Sequence, residues 1–166
     1  MGVCVMYIGI YGSIKMYILA LDVSLVNTGG SVFDKEGNLI EVFSVSTSSK
    51  DSTQVRLKKI ADFFISLKKR YEFELVVFER GFTQFSNATQ QIFRCVGVIN
   101  CLLWKSEQIY IPATTVKKTV TGSGKADKEQ VKKAVLKQWK DIEVNNDDES
   151  DSLAVGLTYF KQQGIL

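Results

Sequence analysis

The 166-residue chain contains no histidine. That absence removes Ser-His-Asp and Cys-His nucleophile systems, imidazole bases and histidine-ligated zinc. Cysteine is scarce too: Cys4, Cys95 and Cys101 are odd in number and form no CxxC pair. A disulfide framework or zinc knuckle is therefore not expected, and a reducing cytoplasm suits the chain best. The one proline is Pro112, and the longest N-terminal apolar run, MGVCVMYIGIYGSIK (residues 1–15), is too short to cross a bilayer. It also lacks the basic start of a signal peptide. Met16 is a second possible start, so residues 1–15 are expected to be a dispensable extension and residues 16–162 a single domain. Any hydrolytic chemistry must then come from carboxylates, lysines, hydroxyls and a hard metal ion.

What the chain does have is unevenly placed charge. The net balance is only +3, yet residues 117–140 hold eight lysines against Asp127 and Glu129. Residues 141–151 then hold six acids and no base. A basic segment beside an acidic cluster suits a protein that holds a polyanionic backbone and cuts it with metal. Two adjoining solvated faces would give the same pattern, and charge alone leaves both open.

The hydrophobic pattern predicts the order β-β-β-α-β-α-β-α-α. YILALDV (17–23) reads as a buried strand, GGSVFD and LIEVFSVS as its antiparallel partners around the turn DKEGN. Residues 53–71 keep a 3.6 period through Leu57, Ile60, Phe64 and Leu67, with serines before them to cap the helix. ELVVFE (74–79) is a second buried strand, residues 87–105 a helix apolar on nearly every side, and 109–111 a short strand before Pro112. A brief helical turn over 114–120, a basic helix over 128–139 and a last helix over 148–162 complete the chain. The expected fold class is α/β, one five-stranded mixed sheet with helices on both faces.

Two buried strands end on acids, Asp22 and Glu79. If these strands are neighbours, both carboxylates reach the crevice at the carboxyl end of the sheet. Asp148 and Asp151, three apart, share one helix face and can point the same way. Four carboxylates suit Mg²⁺ or Mn²⁺. Each acid also has a purely structural role open to it. Asp22 could end a strand, Glu79 could pair with Arg80, and Asp147, Asp148 and Glu149 could complement a helix dipole.

Four stretches in this order, ILALDVSLVNTGG (18–30), VVFERGF (76–82), YIPATTVKKTVTGSGKADKEQV (110–131) and DESDSLAVGL (148–157), resemble the RuvC family of Holliday-junction resolvases. These are ribonuclease H-like nucleases, and the similarity is greatest to the shorter phage-encoded branch. The resemblance implies a ribonuclease H-like fold and a structure-selective endonuclease that resolves Holliday junctions, and other branched DNA, by paired nicks. It implies that Asp22, Glu79, Asp148 and Asp151 bind two Mg²⁺ or Mn²⁺ ions; relatives carry Asp or His at the position of Asp148. Lys117 and Lys128 fall on lysines important for catalysis and DNA contact, with Lys118, Lys125, Gly122 and Gly124 alongside. Phe82 falls on an aromatic that disturbs base stacking. The resemblance implies a homodimer joined through the helix around 87–105. One departure stands out: many relatives have Asp-Pro-Gly where this chain has Asp22-Val23-Ser24, losing a rigid turn. A general flap or branch endonuclease and a non-catalytic DNA-binding module are the competing expectations. An ATP-using domain of the actin, Hsp70 and sugar-kinase type is disfavoured by the short chain.

Overall fold

Strand β1 (Met16–Asp22, MYILALD) is buried on both faces, as expected of a central strand covered by helices. The computed structural model describes residues 15–80, 87–140 and 142–166. Most of the extension expected at 1–15, and Phe82, lie outside the described residues. After β1 come β2 (Asn27–Phe33), β3 (Leu39–Ser46), α1 (Thr53–Arg70), β4 (Glu72–Arg80) and α2 (Asn87–Leu102). β5 (Glu107–Pro112), α3 (Ala113–Thr121), α4 (Lys128–Gln138) and α5 (Asp147–Gln162) complete the order. The strands lie in the order β3-β2-β1-β4-β5. The β1–β2 and β2–β3 pairs are antiparallel, and the β1–β4 and β4–β5 pairs are parallel.

Two apolar cores flank the sheet. Ile18 and Ala20 of β1 point to the side of α3, α4 and α5, packing with Val116, Val131, Val135 and Leu153. Leu19 and Leu21 point to the other side, where Ile60, Phe64 and Leu67 of α1 meet Cys95 and Ile99 of α2. The parallel register slips once, between Tyr17 and Ile18, so that Tyr17 faces Phe73 and Ile18 faces Leu75. The slip leaves Glu74 as an extra residue and brings the alternation of β4 into phase with β1. Leu75 and Val77 then share the α5 face with Ile18 and Ala20. Asp22 and Glu79, next in the same alternation, are carried to that face as well.

Helix α2 stops at Leu102, three residues before the predicted end. The backbone tightens there, Ser106 N–H donating to Leu103 O at 3.0 Å. Trp104 is left 71% exposed. Among the described residues no helix is long and apolar enough to cross a membrane.

Helix α5 sits closer to the sheet than ordinary side chains would permit. A Cβ built on Gly29 would lie 2.0 Å from the backbone oxygen of Asp148, and one on Gly156 would lie 2.3 Å from the Phe33 ring. Glycine at 29 thus seats the first turn of α5 directly over the strand. Its clash partner is backbone, which cannot swing aside. Gly29→Ala is expected to cost about 2 kcal/mol by overpacking, lowering the midpoint of thermal unfolding by about 5 °C. Circular dichroism melts check this; an unchanged midpoint would show that α5 does not depend on the close approach.

Candidate metal centre and its basic flank

Parallel pairing of β1 and β4 places their carboxyl ends side by side. The ladder pairs Leu21 with Phe78, so the next step sets Asp22 opposite Glu79. Both side chains are half-buried. Burial, then the charges of Asp151 and Asp148, push the Asp22 carboxyl up to about 7, against a smaller pull from Lys128. Burial, then Asp22 and Asp151, push Glu79 up to about 7, with Lys117 and Lys128 pulling the other way. Asp151 is raised by burial and by Asp148 and Asp147, while Lys128 opposes the shift. The structure thus brings Asp22, Glu79, Asp148 and Asp151 into one mutually repelling group at the end of the sheet.

The group is not closed into a ready ligand set. Among the described residues no three acidic side chains stand close enough to share one ion. Two of the carboxylates already have protein partners. Lys128 Nζ stands 3.5 Å from Asp151 Oδ2 and 3.7 Å from Asp147 Oδ2. The lysine is desolvated there, but Asp151 and Asp147 outweigh that cost and hold its pKa above the ordinary value. Asn27 Nδ2 donates to Asp148 Oδ2 at 2.6 Å.

Sequence reasoning missed how the first turn of α5 is anchored. Asn146 caps it, its Oδ1 accepting from Glu149 N–H at 3.0 Å. Glu149 is 3% exposed. Its carboxylate accepts from Ser44 Oγ at 3.0 Å, Asn145 N–H at 2.7 Å and Asn145 Nδ2 at 3.3 Å. Asn146 Nδ2 in turn donates to Ser44 Oγ at 2.9 Å. Glu149 is therefore a buried tie between α5 and β3 as well as an acid in a helix start. A carboxyl inside a helix-start acid run was the available signal, but nothing in its spacing marks which acid turns inward.

The turn lost with Pro-Gly is rebuilt from hydroxyls. Ser24 Oγ donates to Asn27 O at 2.7 Å and accepts from Asn27 N–H at 3.0 Å. Thr28 Oγ1 donates to Ser24 O at 2.7 Å. These bonds fix the chain between Asp22 and β2 without a proline ring.

The basic flank follows from α3 and the turn after it. Lys117 is half-buried and acts on Glu79, whereas Lys118 and Lys125 are exposed. Gly122 N–H donates to Lys118 O at 2.8 Å, ending α3 with Gly122 at φ 87°, a left-handed conformation suited to glycine. Gly124 has an ordinary φ, and a Cβ there would come within 3.3 Å of Thr114 O. The two glycines shape the turn that carries Lys125. Beyond Glu79, a cleft of about 650 Å³ opens between α2, β5 and α3, lined by Ile92, Phe93, Val96, Tyr110 and Pro112.

The donors are all carboxylate oxygens, half-buried and in need of positive charge, which fits hard divalent cations. The family described as Crossover junction endodeoxyribonuclease RuvC matches residues 18–159. The chain is similar to the RuvC of Orientia tsutsugamushi (strain Boryong), 30% identical over 157 residues that cover 90% of this chain and 98% of that protein. It is also similar to the RuvC of Prochlorococcus marinus (strain MIT 9211), 27% identical over 160 residues, 91% of this chain and 99% of that one. In three dimensions it matches T. thermophilus RuvC in complex with Holliday junction substrate, with a TM-score of 0.78 at 21% identity over 90% of this chain and 97% of that chain. The fold is the ribonuclease H-like α/β sheet, and the chain belongs to the RuvC family of crossover junction endodeoxyribonucleases.

Proposed function

We propose that this chain resolves four-way DNA junctions by paired nicks, using Asp22, Glu79, Asp148 and Asp151 as its catalytic acids. One observation carries the reading: these four acids, on β1, β4 and α5, form one coupled group at the carboxyl end of two parallel strands, flanked by Lys117 and Lys128. Nucleases of this family depend on a divalent metal. For this chain we assign two Mg²⁺ or Mn²⁺ ions, which Asp22, Glu79, Asp148 and Asp151 would hold. When bound, such ions activate water and stabilise the leaving 3′-oxygen.

The chain's own residues do the rest. Lys117, Lys118, Lys125 and Lys128 hold phosphate oxygens and fix the backbone in line with the acids, which supplies affinity without base preference. Lys128, already against Asp147 and Asp151, links the acid group to the incoming phosphate. At neutral pH the raised carboxyls of Asp22 and Glu79 retain part of their protons, and these leave as a cation is taken up. Phe82 is assigned the disturbance of base stacking at the crossover. The products are a 5′-phosphate and a 3′-hydroxyl. Residues 16–162 are assigned as the working domain, with 1–15 dispensable.

Junction selectivity requires two sites related by the two-fold symmetry of the substrate. The cleft beside α2 and Phe93, 60% exposed, support a homodimer through that helix. The test is a labelled four-way junction with Mg²⁺ or Mn²⁺, alongside flap, fork and three-way substrates. Symmetry-related paired nicks in the junction are expected. Equal cutting of all branches would favour a general branch endonuclease, and binding with no cutting a non-catalytic module. A further expectation concerns Lys128→Ala. If that lysine neutralises a phosphate, the slope of log K against log salt should flatten by about one unit. An unchanged slope in filter-binding titrations would remove it from the DNA contact.

A further inference from the structure

Asp148 differs from the other acids of the group in its partner. Lys128 reaches Asp147 and Asp151 but forms no ion pair with Asp148. One oxygen of Asp148, Oδ2, instead accepts from the Asn27 amide at 2.6 Å. The other, Oδ1, accepts no hydrogen bond from the described residues. The amide itself is aimed from behind, because Ser46 Oγ donates to Asn27 Oδ1 at 2.7 Å. With its oxygen held by a hydroxyl, Asn27 can only present its NH₂ to the carboxylate. Asn27 and Ser46 face each other across the β2–β3 ladder, and the Asn27 backbone is fixed by Ser24. Gly29, two residues along the same strand, lets the Asp148 backbone settle onto β2. Ser46 and Asn27 are thus held by β-sheet backbone, and Asp148 by the first turn of α5.

We propose that Asn27, oriented by Ser46, is a positioning residue that fixes Asp148 so that its free oxygen is presented to the metal. This deepens the reading of Asp148 as a metal-binding acid and rests on it. The chemistry favours a neutral amide here. A lysine at this distance would compete with the cation for the carboxylate's charge, as Lys128 does at Asp151. An amide donates one hydrogen bond and leaves the negative charge to the ion. Hydrogen bonds of this kind behind metal ligands typically alter affinity by about 10- to 100-fold when removed.

The test uses full-length protein and Mn²⁺, titrated by calorimetry and by electron paramagnetic resonance of the free ion, without DNA. Asn27→Ala should weaken Mn²⁺ binding by about 10-fold or more. It should shift the Mn²⁺ dependence of junction nicking by the same factor, with nicking restored at high Mn²⁺. Junction binding in Ca²⁺ should stay within twofold of wild type, which a general loss of structure would not allow. Ser46→Ala should act in the same direction with a smaller effect, and it decides the matter if Asn27→Ala fails to fold. Asp148→Asn separates the two layers. If Asp148→Asn binds Mn²⁺ and cuts as wild type does, the ligand assignment fails and the positioning role falls with it. If Asp148→Asn is impaired while Asn27→Ala and Ser46→Ala keep wild-type Mn²⁺ affinity, the positioning role alone is overturned.

Discussion

Asp22→Asn is expected to bind a four-way junction normally, to nick it about 10³-fold more slowly, and to melt at a higher temperature than wild type in chelator. The rate loss follows from the place of Asp22 on the central strand, where its carboxylate meets Glu79, Asp148 and Asp151. If Asp22 holds the metal as proposed, its loss removes several kcal/mol of charge stabilisation from the transition state, and about 4 kcal/mol corresponds to 10³ in rate. The stability gain has the same origin with the opposite sign. Burial and two neighbouring acids hold the Asp22 carboxyl up at about 7, so above that pH the metal-free protein carries an unfavourable charge. Asparagine keeps the shape and drops the charge. Asp151→Asn should be equally inactive but gain less stability, because Asp151 already has Lys128 at 3.5 Å and the substitution loses that pair. Single-turnover nicking and calorimetric melts in chelator measure both. An Asp22→Asn protein that cuts at the wild-type rate removes Asp22 from the site. One that melts below wild type shows that the carboxyl is not strained in the fold.

The elements and the acids were legible because their signals are local. β1 alternates between two buried faces, α1 keeps its period through Ile60, Phe64 and Leu67, and Ser52 caps it as expected, accepting from Val55 N–H at 3.4 Å. That β1 and β4 end on acids needed only two apolar runs, whereas their pairing stood as a condition that the parallel ladder meets. What stayed hidden depends on contacts between distant residues. Asn27 meets Asp148 across 121 positions, and Ser44 meets Glu149 across 105. Asparagine and serine at strand ends are common, so their types carry no sign of a partner. Gly29 read as a strand start, and only the approach of α5 reveals why no side chain fits there. The capping role of Gly122 stayed hidden for a related reason. A glycine in a basic loop suits phosphate contact and helix termination alike, and which donor is free depends on where α3 ends. The sequence put the acids in one crevice only on the condition that the two strands are neighbours, and it carried no sign of the partners that Asp148 and Asp151 take, Asn27 and Lys128.

Without metal, the wild-type protein should lose stability as pH rises from 5 to 8.5, and Mg²⁺ should restore more of it at pH 8 than at pH 6. The sign follows from the direction of the shifts. Asp22 and Glu79 are held up at about 7 in the folded chain, above their ordinary values of 3.8 and 4.5. The unfolded chain therefore releases these protons first. The protein is favoured below the unfolded values, and that advantage disappears as pH passes through about 7. For two coupled, half-buried carboxyls the loss is about 4 kcal/mol, or about 10 °C in melting temperature for a chain of this size. The missing histidine makes this window diagnostic. Ordinary carboxylates are already ionised by pH 6, lysines stay charged to far above 8, and no imidazole lies between. Burial pushes the Cys95 thiol up to about 11, so it too stays out of the window. Apart from the terminal amine and the thiols of Cys4 and Cys101, a stability change between pH 6 and 8 comes from raised carboxyls. Mg²⁺ binds the ionised group, displacing the remaining protons below pH 7, so its stabilisation grows with pH. Melts at fixed ionic strength, in chelator and in Mg²⁺, give the comparison. A flat profile in chelator would mean the acids are not coupled in the fold. A slope that survives in Asp22→Asn and Glu79→Gln would trace the effect to other groups and separate it from the metal centre.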